Sequence, residues 1–184
     1  NPIAHLDPAG LVCMLLVGFG WAKPVPVNPL KFDRKHSMRG GMALTAAAGP
    51  ISNLLAATVM MVIFRVFGCF RSVMEAAIAY RFYGEMSSLA AIHLFMQYFI
   101  FINLGLACFN LLPIPPLDGS RILAFFAGRK LEGWFYRNQQ LVSVIFMFAL
   151  FSGVLSKPLG VVEDAAYNLL DFATSWIPDL LGVL

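Results

Sequence analysis

Charged side chains are scarce in this sequence: only 12% of its 184 residues are Asp, Glu, Lys or Arg, while 59% are hydrophobic. In a typical soluble domain about a quarter of the residues are charged. The chain therefore lacks the polar side chains needed to coat a water-facing surface. Its composition excludes an ordinary soluble domain and predicts a protein solvated by lipid.

Clustered cysteines and clustered basic residues are also missing. The three cysteines, Cys13, Cys69 and Cys108, are widely spaced in apolar surroundings and form no Cys-x-x-Cys pair, which favours buried structural thiols. The net charge is only +3, and Lys and Arg are spread along the loops. Without a basic stripe interleaved with aromatic residues, we expect no nucleic-acid partner.

Three long stretches are free of charged side chains. About 20 apolar residues cross the core of a bilayer, so we predict one transmembrane helix at 41–64 and another at 88–112. The Pro-rich piece at 113–116 cannot continue the second helix, because each proline removes an N–H donor and clashes with the preceding turn. A third, shorter stretch at 138–156 completes about three full spans.

The two ends of the chain differ from these spans. The apolar stretch 8–22 is short and rich in glycine, which favours a re-entrant or interfacial piece, and the residues after it alternate around Val25 and Val27 in a β-hairpin-like pattern. Near the C-terminus, apolar residues recur at helical spacing opposite polar ones, which predicts an amphipathic helix. The apolar set is Val161, Val162, Ala165, Ala166, Leu169, Leu170 and Trp176, and the polar set is Asp164, Asn168, Asp171 and Ser175.

These elements predict an all-α polytopic membrane protein that forms one domain over 1–184. It has about three full transmembrane helices, one Pro-broken helix, a re-entrant or β-hairpin-like N-terminal segment and a C-terminal amphipathic helix. The loops before the first and third spans carry more basic residues than those on the opposite side, so by the positive-inside tendency we expect them to be cytoplasmic. Asp118 lies at that end.

The stretch from Asn110 to Gly119 reads Asn-Leu-Leu-Pro-Ile-Pro-Pro-Leu-Asp-Gly. A carboxylate at membrane depth is costly without a cation, a partner or water, and backbone freed by prolines survives there only against protein or a wet cavity. Gly119 allows close approach of another group. The pattern predicts a broken helix that points Asp118 into a polar pocket. The alternative is that Asp118 simply caps the helix that follows.

A second motif, Gly49-Pro50-Ile51-Ser52-Asn53, lies inside the first predicted span. Small residues surround it and permit tight helix contact. Asn53 is a polar amide in mid-membrane, so it faces either a cavity or a neighbouring helix that it helps to hold.

Four segments in this order resemble the site-2 protease family of intramembrane zinc metalloproteases, in its compact bacterial branch. They are Asn-x-x-Pro-x-Pro-x-Leu-Asp-Gly at 110–119, Gly-Pro-x-x-Asn at 49–53, Asn-Pro-Ile-Ala-His-Leu-Asp-Pro at 1–8 and Gly-Phe-Gly-Trp-Ala-Lys-Pro-Val-Pro-Val-Asn-Pro at 18–29. The resemblance covers nearly the whole chain. It implies an integral protein of a bacterial cytoplasmic membrane that hydrolyses peptide bonds of membrane-spanning protein substrates, in regulated intramembrane proteolysis.

The resemblance also implies roles for particular residues. Asp118 would be the third ligand of one zinc ion, and Asn53 would hold the substrate backbone or the developing oxyanion. The break that presents Asp118 would be shaped by Asn110, Pro113 and Pro115. Gly119, Gly49 and Pro50 are further candidate substrate-binding or structural residues. An edge strand around Val25 and Val27 would receive an extended substrate.

The family's other two zinc ligands come from a His-Glu-x-x-His helix, and no such pattern occurs here: the histidines are His5, His36 and His93. We expect that the motif lies upstream of a truncated N-terminus and that the chain alone is inactive. Two alternatives stay open at this point. One is a catalytically inactive scaffold of the same family that binds transmembrane helices, and the other is a fragment of a transporter or channel. The oligomeric state is not predicted.

Overall fold

The computed structural model of the chain describes residues 6–17, 23, 27, 28, 32 and 37–182. The chain forms two compact units, Asn1–Met38 and Arg39–Leu184. The described residues contain α-helices and no β-strand, in agreement with the predicted all-α class. The helices are α1 (Pro8–Val17), α2 (Met38–Gly68), α3 (Arg71–Tyr83), α4 (Ser88–Asn110), α5 (Asp118–Ala127), α6 (Arg129–Phe151), α7 (Ser156–Thr174) and α8 (Ile177–Leu180).

In the first unit, the predicted re-entrant piece forms α1, whose first turn is closed by Asp7: its carboxylate accepts a hydrogen bond of 3.3 Å from the Gly10 N–H. Ten residues of helix extend only about 15 Å, which is too short for a crossing, and the depth of α1 in a membrane stays a prediction. Val25 lies outside the described residues, and Val27 belongs to no regular element. The β-hairpin-like prediction therefore stays untested.

The first two predicted spans correspond to α2 and α4, which have 31 and 23 residues and are each long and apolar enough to cross a membrane. α4 starts at a serine cap, where the Ser87 hydroxyl accepts a hydrogen bond of 3.2 Å from the Ala90 N–H. It ends at Asn110, two residues before the predicted end. Pro113 accounts for the earlier end, because a proline disfavours helical backbone at the residue before it.

The prediction of a single third span at 138–156 is wrong in its boundaries. α6 starts at Arg129 and stops at Phe151, and α7 follows at an angle of 82°. Gly153 ends α6 with a φ of +74°, a left-handed conformation that commonly terminates helices. α6 and the helical stretch after it are long and apolar enough only when taken together, so the described residues provide two membrane-spanning helices, or three if the bent pair counts as one.

The C-terminal helix is present as α7, and its packed face agrees with the predicted apolar face only in part: Ala166 and Leu170 belong to the predicted set. Ala166, Tyr167 and Leu170 pack against the core, whereas Leu169 and Trp176 are exposed. Two acidic residues instead turn inwards: Glu163 lies against Gly105 of α4, and Asp171 forms an ion pair with Arg65 of α2. Helical periodicity alone could not show these tertiary partners.

The core lies where α2, α4 and α7 meet. Its fully buried residues are Ala57, Met61, Ile100 and Leu104. The Phe101 and Tyr167 rings stack at a centroid distance of 4.8 Å and join α4 to α7. α3, which was not predicted as a helix, packs against α4, and its Val73 is buried. These contacts hold the end of α4, from which the candidate site begins.

Candidate functional site

The break after α4 spans 111–117 and, beyond Leu111, is closed by short turns. The Leu112 N–H donates to the Phe109 carbonyl (3.1 Å), and the Leu117 N–H donates to the Ile114 carbonyl (2.9 Å). Pro115 is buried, Pro113 is exposed, and the peptide bond before Pro116 is cis. Asn110 is the last residue of α4, and its amide donates to the Leu106 carbonyl at 2.9 Å. The predicted break in the helix is therefore present, and its backbone forms hydrogen-bonded turns.

Gly119 holds this break against the start of α5. A Cβ built on Gly119 would lie 2.2 Å from the Leu111 carbonyl oxygen and 2.5 Å from the Leu112 carbonyl oxygen. Both atoms belong to backbone that cannot swing aside, so only glycine fits without a shift. This close approach fixes the residue immediately before Gly119.

That residue, Asp118, is the first residue of α5 and not its cap. The cap position belongs to Leu117, whose backbone is extended, and no side chain caps the helix there. The alternative in which Asp118 caps α5 is therefore wrong. Its carboxylate instead points towards α2: its Oδ2 atom lies 3.4 Å from a Cβ built on Gly49. The structure thus brings the two sequence motifs together at one point.

The electrostatic surroundings of Asp118 are mixed. The side chain is half-buried, and the loss of water raises the pKa of its carboxyl group. The Arg121 guanidinium, three residues further along α5, acts in the opposite direction and lowers that pKa. The Asp118 carboxylate is partly removed from water, and Arg121 balances its negative charge only in part. Such a carboxylate retains strong affinity for a cation.

The α2 motif that meets Asp118 at Gly49 also contains Pro50 and Asn53. Gly49 is exposed, so no other described element covers α2 beside the carboxylate. Pro50 is fully buried inside the helix and leaves the Ala46 carbonyl without its usual donor. Asn53 is half-buried and one turn after Gly49, on the side of α2 that also carries the buried Pro50 and Ala57. Within the described residues, no hydrogen bond joins Asn53 to Asp118.

Next to this point a cavity of about 380 Å³ opens between α2, α5 and α6. Arg39 lines the cavity and links helices within its wall. Its guanidinium forms an ion pair with Glu132 at 2.7 Å and donates a hydrogen bond to the Ala124 carbonyl at 2.9 Å. Arg121 and Ser120 also line the cavity. The Arg39–Glu132 pair was not predicted from the sequence, because either residue alone is typical of a solvated helix end.

Among the described residues, this site offers one candidate metal ligand, Asp118. No group of three His, Cys, Asp or Glu side chains in the described part of the chain is arranged to hold a metal ion. His5 and His36 lie outside the described residues, and His93 packs against the Phe64 ring at a centroid distance of 4.8 Å. A catalytic zinc site usually needs three protein ligands. Asp118 fits one of those positions, and the others are not filled by residues described here.

Comparison with known proteins agrees with the motifs. The profile of Peptidase family M50 matches residues 25–153, a range that contains both Gly49 and Asp118. A protein of Bacillus subtilis (strain 168), named "Putative zinc metalloprotease YwhC", is 42% identical to the chain over 123 residues. The match covers 67% of this chain and 50% of that protein, so the chain spans about half the length of this relative. No solved structure matches the chain. Because the profile covers well over half of the sequence and includes both motifs at the site, the chain belongs to peptidase family M50, the site-2 protease family.

Proposed function

We propose that this chain forms the part of an intramembrane zinc metalloprotease that supplies Asp118 as the third zinc ligand. The observation that carries the proposal is that the Asp118 carboxylate lies beside Gly49, with its Oδ2 atom 3.4 Å from the position that a Cβ on Gly49 would take. It unites two motifs that are 69 residues apart along the chain, a difference read from their numbers. Membership of the family and the name of the Bacillus relative support zinc-dependent peptide hydrolysis.

The local structure suits a metal ligand better than a purely structural carboxylate. Asp118 accepts no capping bond and makes no ion pair with a described residue. Its neighbour Gly119 lies against the Leu111 and Leu112 backbone, and this close approach fixes the backbone position from which the carboxylate extends. The uncovered surface at Gly49 leaves room beside it for further ligands and a substrate.

A zinc ion held by Asp118 and two histidines would supply an activated water and polarise the scissile carbonyl. The 184 residues contain no His-Glu-x-x-His pattern, so both histidines and the general base would come from outside them. Within the chain, Asn53 would hold the substrate backbone or the developing oxyanion, and Val25 and Val27 would offer a strand edge to a locally unwound substrate. Basic residues near this end of the bundle favour a cytoplasmic position for Asp118.

The proposal is tested by replacing Asp118 with Asn in the complete natural protein and measuring bound zinc by elemental mass spectrometry. Loss of a direct ligand should reduce zinc affinity by more than the roughly 10- to 100-fold typical of changes to outer-shell partners. Cleavage of a reporter with one transmembrane helix should fall in parallel. Asp164→Asn is the matched control, because Asp164 is an exposed acid on α7 remote from the motif.

The stability of the metal-free variant separates ligand loss from misfolding. Burial raises the pKa of the Asp118 carboxyl group in the folded protein, so above its unfolded pKa the ionised carboxylate costs folding free energy. Asp118→Asn should therefore unfold at the same or a higher temperature than the metal-free parent at neutral pH. Full zinc occupancy in the variant would remove Asp118 from the ligand set. A parent protein that binds transmembrane helices but no zinc would instead favour the inactive scaffold.

A further inference from the structure

The cavity between α2, α5 and α6 has a composition that the proposed protease function does not use. We call it the Arg121 cavity and define it by Arg39, Arg121, Phe125, Glu132, Phe135 and Tyr136, which are among its lining residues. Its volume of about 380 Å³ lies within the range of small-molecule sites, about 300–1,000 Å³. It lies beside α5 and opens to the surface.

Of the two arginines in the cavity lining, Arg121 is the one that has no direct hydrogen bond or ion pair with a described residue; the Asp118 carboxylate acts on it only at longer range. Arg39 is engaged by the Glu132 carboxylate and by the Ala124 carbonyl, as described above. The Arg121 side chain is exposed. Two guanidinium groups against one carboxylate give the lining a net positive charge. An anion is therefore the complementary ligand.

The remaining walls are apolar and aromatic. Phe125, Phe135 and Tyr136 line the cavity beside the arginines. Tyr136 and the neighbouring Trp134 are exposed by 83% and 47%, as expected for aromatic side chains at the level of lipid headgroups. A ligand that fits these walls carries an anionic group next to an apolar body.

We propose that the Arg121 cavity binds the headgroup of an anionic phospholipid. The phosphate would accept hydrogen bonds from the Arg121 guanidinium, while the glycerol and the first acyl carbons would lie against Phe125 and Phe135. Basic pockets between transmembrane helices are sites where lipid headgroups bind. A free phosphate would leave the aromatic walls uncovered. An extended polypeptide would find few free backbone partners, because the walls are mainly helices whose backbone groups are already bonded.

The proposal is tested with purified, delipidated natural protein in a neutral detergent, by native mass spectrometry with dioctanoyl phosphatidylglycerol as the probe. Dioctanoyl phosphatidylcholine and inorganic phosphate are the comparison ligands. The parent protein should bind one phosphatidylglycerol in preference to phosphatidylcholine, and phosphate alone should not displace it. Arg121→Gln should weaken binding about fivefold, the effect of about one charge near a membrane surface, and Arg121→Lys should retain most of the affinity.

Arg129→Gln is the matched control, since it removes an exposed arginine at the start of α6 that does not line the cavity. Equal losses in Arg121→Gln and Arg129→Gln would show a diffuse attraction and overturn the proposal, as would an Arg121→Gln variant that binds like the parent. Displacement by inorganic phosphate would reassign the cavity to free anions. An acidic peptide that displaces the bound phosphatidylglycerol, and is not itself displaced by excess phosphatidylglycerol, would reassign the cavity to a polypeptide. The measurement needs neither zinc nor peptidase activity, so it fails or succeeds independently of the proposed function.

Discussion

The contact between Gly119 and the end of α4 leads to a quantitative prediction for Gly119→Ala. The added Cβ would lie 2.2 Å from the Leu111 carbonyl oxygen, 2.4 Å from the Leu111 carbonyl carbon and 2.5 Å from the Leu112 carbonyl oxygen. Non-bonded carbon atoms are best separated by about 3.5–4.0 Å. α5 would have to move by roughly 1 Å or more, and Asp118 would move with it.

The expected magnitude follows from two opposing effects. Alanine is favoured over glycine inside a helix by about 1 kcal/mol, whereas forcing extra atoms into a packed region costs about 1–3 kcal/mol or more. The clash here is with backbone, so the cost should fall at the upper end and exceed the propensity gain. We expect Gly119→Ala to lower the free energy of unfolding by about 1–2 kcal/mol.

The assay is reversible unfolding in mixed detergent micelles, followed by circular dichroism, together with zinc content of the complete protein. Gly133→Ala is the matched control, because Gly133 lies inside α6 and a Cβ there meets nothing within 4 Å. The control should be as stable as the parent or up to about 1 kcal/mol more stable. Zinc content should fall in Gly119→Ala and stay unchanged in Gly133→Ala. Equal stability of the two variants would refute the reasoning, because the close backbone contact would then have no energetic consequence.

Two further predictions concern the attachment of α7. Arg65→Gln removes the ion pair with Asp171, whose side chain is 43% exposed. Because water screens such a pair, its coupling energy in a double-mutant cycle with Asp171→Asn should be at most about 1 kcal/mol. A coupling energy several times larger would contradict this expectation. Gly105→Ala places a Cβ 3.1 Å from the Glu163 carboxylate, the mobile end of a side chain, so it should change the free energy of unfolding by less than about 1 kcal/mol. A loss as large as that of Gly119→Ala would mean that Glu163 cannot move aside.

Much of the fold was predictable because membrane-spanning helices are long apolar runs that can be recognised in the sequence. α2 and α4 were expected within a few residues of their observed ends, since a bilayer requires about 20 apolar residues and charged residues bound each run. α3 was missed because its exposed face carries Arg71, Glu75 and Arg81, which read as a loop beside a membrane. The bend between α6 and α7 was missed because the single glycine that ends α6 resembles many tolerated glycines in sequence.

The candidate site was predictable residue by residue but not as an arrangement. The prolines before Asp118 indicated a broken helix, and the break is there at 111–117. The partner of the Asp118 carboxylate was not readable, because no periodic pattern relates Gly49 to a residue in another helix. The Arg39–Glu132 ion pair was not predictable either, since each residue alone is typical of a solvated helix end.

The sequence by itself predicted a membrane protein, the ends of α2 and α4 to within a few residues, and which short motifs are candidates for chemistry. These properties depend on local solvation, on backbone donors removed by proline and on residue types within one segment. Only the tertiary structure decided that Asp118 meets Gly49, that Gly119 is locked by backbone and that Glu163 and Asp171 turn inwards. Those facts depend on which helices pack side by side, and packing is set by the whole chain at once.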